Sequence, residues 1–159
     1  MIFIIQSLLL LRYKKIEIMK IKISSITLLF LFCFTNTEAG IIKIFISNVD
    51  QEKGTIHYAI FNNAEFFPEE KGKMRGGVKN ISEVVKSGII INELQESNYA
   101  IAIFHDKNSN NAFDTIFAIP TEKYGFSNNA KVFLGPPKFE EASIFVGENE
   151  TVEILIELR

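Results

Sequence analysis

The stretch IAIFHDKNSNNAFDTIFAIPTEKYGFSNN, Ile101 to Asn129, begins as an apolar strand, stops at His105 and Asp106, and opens into a run of spaced oxygen donors. From Tyr99 to Phe104 the strand is apolar on both faces, which suits the centre of a sheet rather than an edge. On either side of it the apolar residues recur with period two. Ile42, Ile44 and Ile46 alternate with Lys43, Phe45 and Ser47; Ile56, Tyr58 and Ile60 alternate with His57 and Ala59; Val152, Ile154, Ile156 and Leu158 alternate with Thr151, Glu153, Leu155 and Glu157. This alternation puts one set of side chains in a core and the other in water, the mark of half-buried antiparallel strands. Gly88 to Leu94 and Ala142 to Val146 read as two more strands, and a weaker run at Asn80 to Lys86 brings the count to seven.

Turn formers punctuate these runs at Gln51-Glu52-Lys53-Gly54, Ser87-Gly88, Gln95-Glu96-Ser97-Asn98 and Gly147-Glu148-Asn149. The predicted fold is all-β, a single antiparallel β-sandwich of immunoglobulin-like or transthyretin-like type with one long ordered loop. Asn62 to Gly77 has no period and contains Pro68 and three glycines, so it reads as a surface loop with one helical turn at Ala64 to Phe67. The loop from Asp106 to Pro137 far exceeds the usual connection of about 4 to 6 residues. Its Phe113, Ile116, Phe117, Ile119, Tyr124, Phe126, Phe133 and Leu134 call for burial, which predicts an ordered loop packed on one end of the sandwich.

The N-terminal part has the pattern of an export signal. Met19, Lys20 and Lys22 form a basic start, Ile23 to Phe34 an apolar run, and Thr37-Glu38-Ala39 a small-x-small cleavage site before Gly40. The expected organisation is an N-terminal extension plus signal peptide over residues 1–39, with the signal proper at 19–39, followed by a β-sandwich domain over 40–159. A second apolar run, Ile2 to Leu11, lies upstream, so Met1 and Met19 both stand as possible starts. Each run is shorter than the roughly 18 to 20 apolar residues of a membrane span. Cys33 follows the bulky Phe32, which disfavours a lipid anchor. The expected mature chain is therefore free of cysteine, periplasmic or secreted, and meets a membrane only through the signal before cleavage.

Without its leader the chain keeps 12 Lys and Arg against 17 Asp and Glu, a net charge of −5. With no basic cluster and no aromatic-interleaved basic stripe, it carries no footprint for nucleic acid.

Asp106, Asn108, Asn110 and Asp114 follow the D-x-N-x-N-x-x-x-D spacing that lets one backbone loop turn several oxygens onto a hard cation, and calcium is the expected cofactor. Phe117 stands where an EF-hand-like loop has its bidentate glutamate, so Glu122 is the candidate for the remaining ligand. The competing reading is an Asx-turn network in which these side chains cap backbone amides without metal. A zinc site from His57 and His105 with Asp106 or Glu122 has few ligands for that metal. Ser127 could serve as a nucleophile with His105 as base, but His105 and Asp106 are adjacent on a strand and point to opposite faces. Tyr124, Phe126, Asn128 and Asn129 combine ring surface with amides, as ligand-contacting loops do, and are the candidate ligand-binding residues.

The segments from Tyr99 to Asp106, then Asn108, Asn110 and Asp114, then Ile119-Pro120-x-Glu122-x-Tyr124-Gly125-Phe126-Ser127-Asn128-Asn129, and finally Gly135-Pro136-Pro137-x-Phe139-x-x-Ala142 resemble the pattern of the bacterial family called domain of unknown function 2141. The resemblance covers Ile41 to Leu158 and implies an exported single-domain β-sandwich. That pattern usually has glycine where this chain has Asn111 and Ala118. The expected role is a non-catalytic binding or structural module with a calcium-organised loop and a cell-envelope, carbohydrate or protein ligand. The alternative is a small periplasmic hydrolase using His105 and Glu122.

Overall fold

The computed structural model describes residues 12–15, 17, 39–49 and 53–159. The chain divides into two compact units, Met1–Thr37 and Glu38–Arg159. In the first, residues 12–15 and 17 are helical and exposed. The basic and apolar stretches expected to direct export, with Cys33, lie outside the described residues. Among the described residues no helix is long and apolar enough to cross a membrane.

The second unit is mostly β. Its elements run β1 (Gly40–Ser47), β2 (Thr55–Phe61), β3 (Arg75–Asn80), α1 (Ile81–Ser87), β4 (Ile89–Leu94), β5 (Ser97–Asp106), β6 (Thr115–Ile116), β7 (Ile119–Pro120), β8 (Tyr124–Phe126), α2 (Phe139–Ala142), β9 (Ile144–Val146) and β10 (Thr151–Glu157). Among the described residues three sheets form: β10-β1-β4; β3-β2-β5-β8 with β9 also on β5; and the small β6-β7 hairpin. The period-two runs set which faces are inside. Ile42, Ile44, Ile89, Ile91 and Ile156 from the first sheet meet Ile56, Ile60, Ile101 and Ile103 from the second in one apolar cluster. Strand β5 is central, bonded to β2, β8 and β9, as its two-sided apolar character requires.

Several expectations are corrected. The β1–β10 pair is parallel, with Ile44 opposite Ile154, whereas every strand was expected to pair antiparallel. The two strands are joined by nearly the whole unit, so no tight turn forces them to run in opposite directions. The weak strand at Asn80 to Lys86 is instead the helix α1. Ile81 and Val84, three apart, share its buried face, and Gly88 ends it at φ 69°, its N–H donating to the Val84 carbonyl. Part of the presumed surface loop is strand β3. Its glycines answer to Tyr58 on β2: a Cβ at Gly76 would lie 2.6 Å from the Tyr58 carbonyl, and one at Gly77 2.8 Å from its hydroxyl. Ala64 to Phe67 does form a turn, the Phe67 N–H donating to the Ala64 carbonyl at 3.4 Å, and a 3-10 turn follows at Glu70–Gly72. The second of the late strands begins at Ile144, preceded by the one-turn α2.

The long loop is ordered but does not bury all its apolar residues. Phe117 is 97% exposed, Leu134 95% and Phe133 85%. Phe117 and Ala118 form the two-residue turn of the β6–β7 hairpin, both at positive φ (51° and 63°), and a hairpin tip has no neighbour to pack against.

Candidate functional site

Strand β5 delivers Asp106 to the mouth of the loop, fully buried. Its Oδ2 accepts the Asn111 N–H at 2.8 Å and its Oδ1 that of Asn110 at 3.2 Å. Burial pushes this carboxyl up, but the backbone amides of Asn111, Asn110 and Ser109, with His57 beside it, outweigh burial and hold it below the usual aspartate value. Gly54, at φ 91°, lies against the same corner: a Cβ there would come within 2.2 Å of the Asp106 carbonyl. The backbone at Gly54 can approach the loop this closely only because that position has no side chain.

The other loop oxygens behave in the same way. Asn108 Oδ1 accepts the Asn110 N–H and Asn110 Oδ1 that of Ala112, at 2.9 and 2.8 Å. Glu122, also buried, accepts Lys107 N–H at 3.0 Å and Asp114 N–H at 3.1 Å, stapling the two ends of the loop together. The carboxamides of Asn108 and Asn110 both donate to the Asp114 carboxylate, at 2.7 and 3.1 Å. All five residues singled out as metal ligands are therefore brought into one loop, where their oxygens are taken by backbone and side-chain amides. Among the described residues no three His, Cys, Asp or Glu side chains converge on a common point.

The two histidines face opposite sides of the sheet. His105 points into the core, fully buried, its Nε2 donating to the Lys53 carbonyl at 2.7 Å and its Nδ1 without a partner. His57, on the outer face, stacks on Phe104 with ring centroids 4.5 Å apart. Its Nε2 lies 3.3 Å from Asp106 Oδ2, an ion-pair distance for a protonated ring, although the N–H is not aligned for a hydrogen bond. Sequence reasoning missed this pair. The antiparallel register sets Thr55 opposite Asp106 and His57 opposite Phe104, so His57 and Asp106 are diagonal neighbours on one face.

The outer face of β3-β2-β5-β8 holds a cleft of about 450 Å³. Its floor is a row across three strands, Gly76, Ala59 and Ala102, in register with Phe126 on β8. The next row is Val78, His57, Phe104 and Tyr124. Phe113 from the loop closes on this wall, 5.3 Å from Phe104 and 5.6 Å from Tyr124, ring centre to ring centre. Pro68, Glu70 and Lys73 form the opposite rim, the Lys73 ammonium bonded to the Glu70 carboxylate.

Two of the four expected ligand-binding residues, Tyr124 and Phe126, line this cleft from β8 rather than projecting from a loop tip, the first half-buried and the second buried. Asn128 and Asn129 turn away to clamp the backbone. Asn128 donates to the Ser143 carbonyl at 2.6 Å, and Asn129 accepts the Glu157 N–H at 2.8 Å. Ser127 is fully buried, its hydroxyl accepting the Ile101 N–H and donating to the Ala142 carbonyl. Neither His105 nor Glu122 lines the cleft.

A family model described as an uncharacterised protein conserved in bacteria, domain of unknown function 2141, matches residues 44–154, and the chain belongs to that family. No curated protein and no solved structure matched.

Proposed function

We propose that this family member is an exported, non-catalytic binding module built as a two-layered β-sandwich, and that it binds its ligand in the cleft on the outer face of the β3-β2-β5-β8 sheet. The observation that carries this reading is the cleft: about 450 Å³, walled by aromatic side chains and floored by alanine and glycine. Ligand sites run to about 300–1,000 Å³, are mostly apolar, and carry a small number of polar groups. The sandwich is supported by an apolar cluster to which both larger sheets contribute. Export rests on the basic start, apolar run and Thr37-Glu38-Ala39 of the leader.

Calcium in the loop is a second reading, favoured by the convergence of two carboxamides on the Asp114 carboxylate. Rotating both amides would turn their oxygens toward the same point at the expense of two Asx-turn bonds. The hydrolase reading draws less support, because both Glu122 oxygens and His105 Nε2 are bonded to backbone groups and neither side chain lines the cleft.

The binding reading is tested by thermal melts of the wild-type protein and of Ala102→Leu against a panel of small apolar molecules, acyl chains and oligosaccharides. At least one class should raise the wild-type Tm and leave the filled-cleft variant unmoved. A panel that moves neither protein, or both alike, refutes the assignment.

A further inference from the structure

Resting on that assignment, we infer that the cleft takes a planar aromatic molecule bearing one hydrogen-bonding group, its ring seated over Ala59 and Ala102 and its polar group on His57. The row Gly76, Ala59 and Ala102 is a trough one side-chain layer deep between taller neighbours. The tall side is made of rings, and Phe104, Phe113, Tyr124 and Phe126 already contact one another in sequence at centroid distances of 5.3, 5.6 and 6.2 Å. Aromatic rings prefer such offset and edge-on neighbours at about 4.5–7 Å, so a flat ligand ring continues a ladder the protein has begun.

The polar inventory narrows the class further. Lys73 and Glu70 neutralise each other at the rim, so the mouth offers no net charge to an ionic ligand. Of the other polar lining residues, Tyr58 packs on the inner core, Tyr124 adds a hydroxyl to the ring wall, and His57 faces the cleft from β2; its Nε2 is turned to Asp106, and among the described residues its Nδ1 makes no hydrogen bond. One available ring nitrogen matches one hydroxyl or ring N–H on the ligand. A sugar would bring many hydroxyls to a wall of rings. An acyl chain would find few aliphatic surfaces, chiefly Pro68 and Val78.

The test is calorimetric titration of the protein with 2-naphthol, naphthalene, decanoate and a chito-oligosaccharide. 2-Naphthol should bind at one site per chain, more tightly than naphthalene. Ala102→Leu, and independently Ala59→Leu, should weaken it at least tenfold in protein that melts cooperatively. His57→Phe keeps the stacked ring and removes the nitrogen, so it should weaken 2-naphthol by about threefold to tenfold, the worth of one hydrogen bond, and leave naphthalene unchanged. Binding of decanoate or the oligosaccharide in place of the aromatics, abolished by the same leucines, overturns the aromatic class while the cleft stands. Aromatic binding indifferent to both leucines overturns the site. Equal weakening of both aromatics by His57→Phe overturns the role of His57.

Discussion

Asp106→Asn keeps the shape of the side chain, removes its charge and turns one of its two oxygens into an amide donor. In the folded protein both oxygens accept backbone N–H groups, Asn111 at 2.8 Å and Asn110 at 3.2 Å, at a fully buried position. The variant can satisfy one of these amides; the other meets a donor. An unmatched buried donor costs about 1–3 kcal/mol, and reducing the surviving bond from charge-assisted to neutral costs about 1 kcal/mol more. The expected loss is about 2–4 kcal/mol, or a Tm lower by about 8–20 °C for a domain of this size. The loss depends on pH with a definite sign. The folded carboxyl sits below its ordinary value, because the amides of Asn111, Asn110 and Ser109, with His57, outweigh burial. Its stabilisation is whole above about pH 4, the unfolded aspartate value, and fades as pH falls through the folded one. Wild-type and variant urea midpoints should be far apart at neutral pH and draw together in acid. A difference below about 0.5 kcal/mol at neutral pH, or one that stays constant into acid, would refute the account of how this corner is held.

Ser127→Ala strands the buried Ile101 N–H and should cost about 1–3 kcal/mol by chemical denaturation; an unchanged midpoint refutes the role of that hydroxyl. If calcium binds the folded loop alone, free calcium at 100 times its Kd should add about 2.7 kcal/mol, Asp114→Asn should erase the gain, and superimposable melts with calcium and chelator remove the ion. Sequencing of the protein recovered from periplasm or medium should begin at Gly40, and a chain retaining Phe30 to Phe34 rules out the cleavage.

The strands that sequence revealed best are those with one dry face. Ile42 and Ile44, Ile56 and Ile60, and Ile156 and Leu158 are all fully buried, as their alternation requires. Strand β3 is not legible in sequence because Gly76 and Gly77 carry no hydropathy signal; its ladder with β2 makes the strand, and Tyr58 across that ladder leaves no room for side chains there. Helix α1 reads as a strand in sequence because Val84 and Val85 favour strands by propensity, whereas the buried pair Ile81 and Val84 favours the helix through tertiary packing. Within the site, the cluster of Asp106, Asn108, Asn110, Asp114 and Glu122 was legible because one short loop holds it. The cleft was not, because its floor comes from three strands far apart in the chain. Only the register of β2 against β3 and β5 brings Gly76, Ala59 and Ala102 into line.

The position of β1 between β4 and β10 bears on how the protein can be made. Lys43 on β1 meets Glu153 on β10 across 110 positions of chain, and until that last strand has been synthesised one edge of the first stays open. Contacts so distant delay folding, since the loop must close before its contacts stabilise anything. If the chain is exported as proposed, such a delay would keep it threadable until it had crossed the membrane. It also makes the unfinished molecule adhesive: a chain cut short before Thr151 would present the bare edge of Gly40–Ser47, alternating isoleucine and ready to pair with its neighbours, so loss of β10 should be met as aggregation before it is met as lost binding.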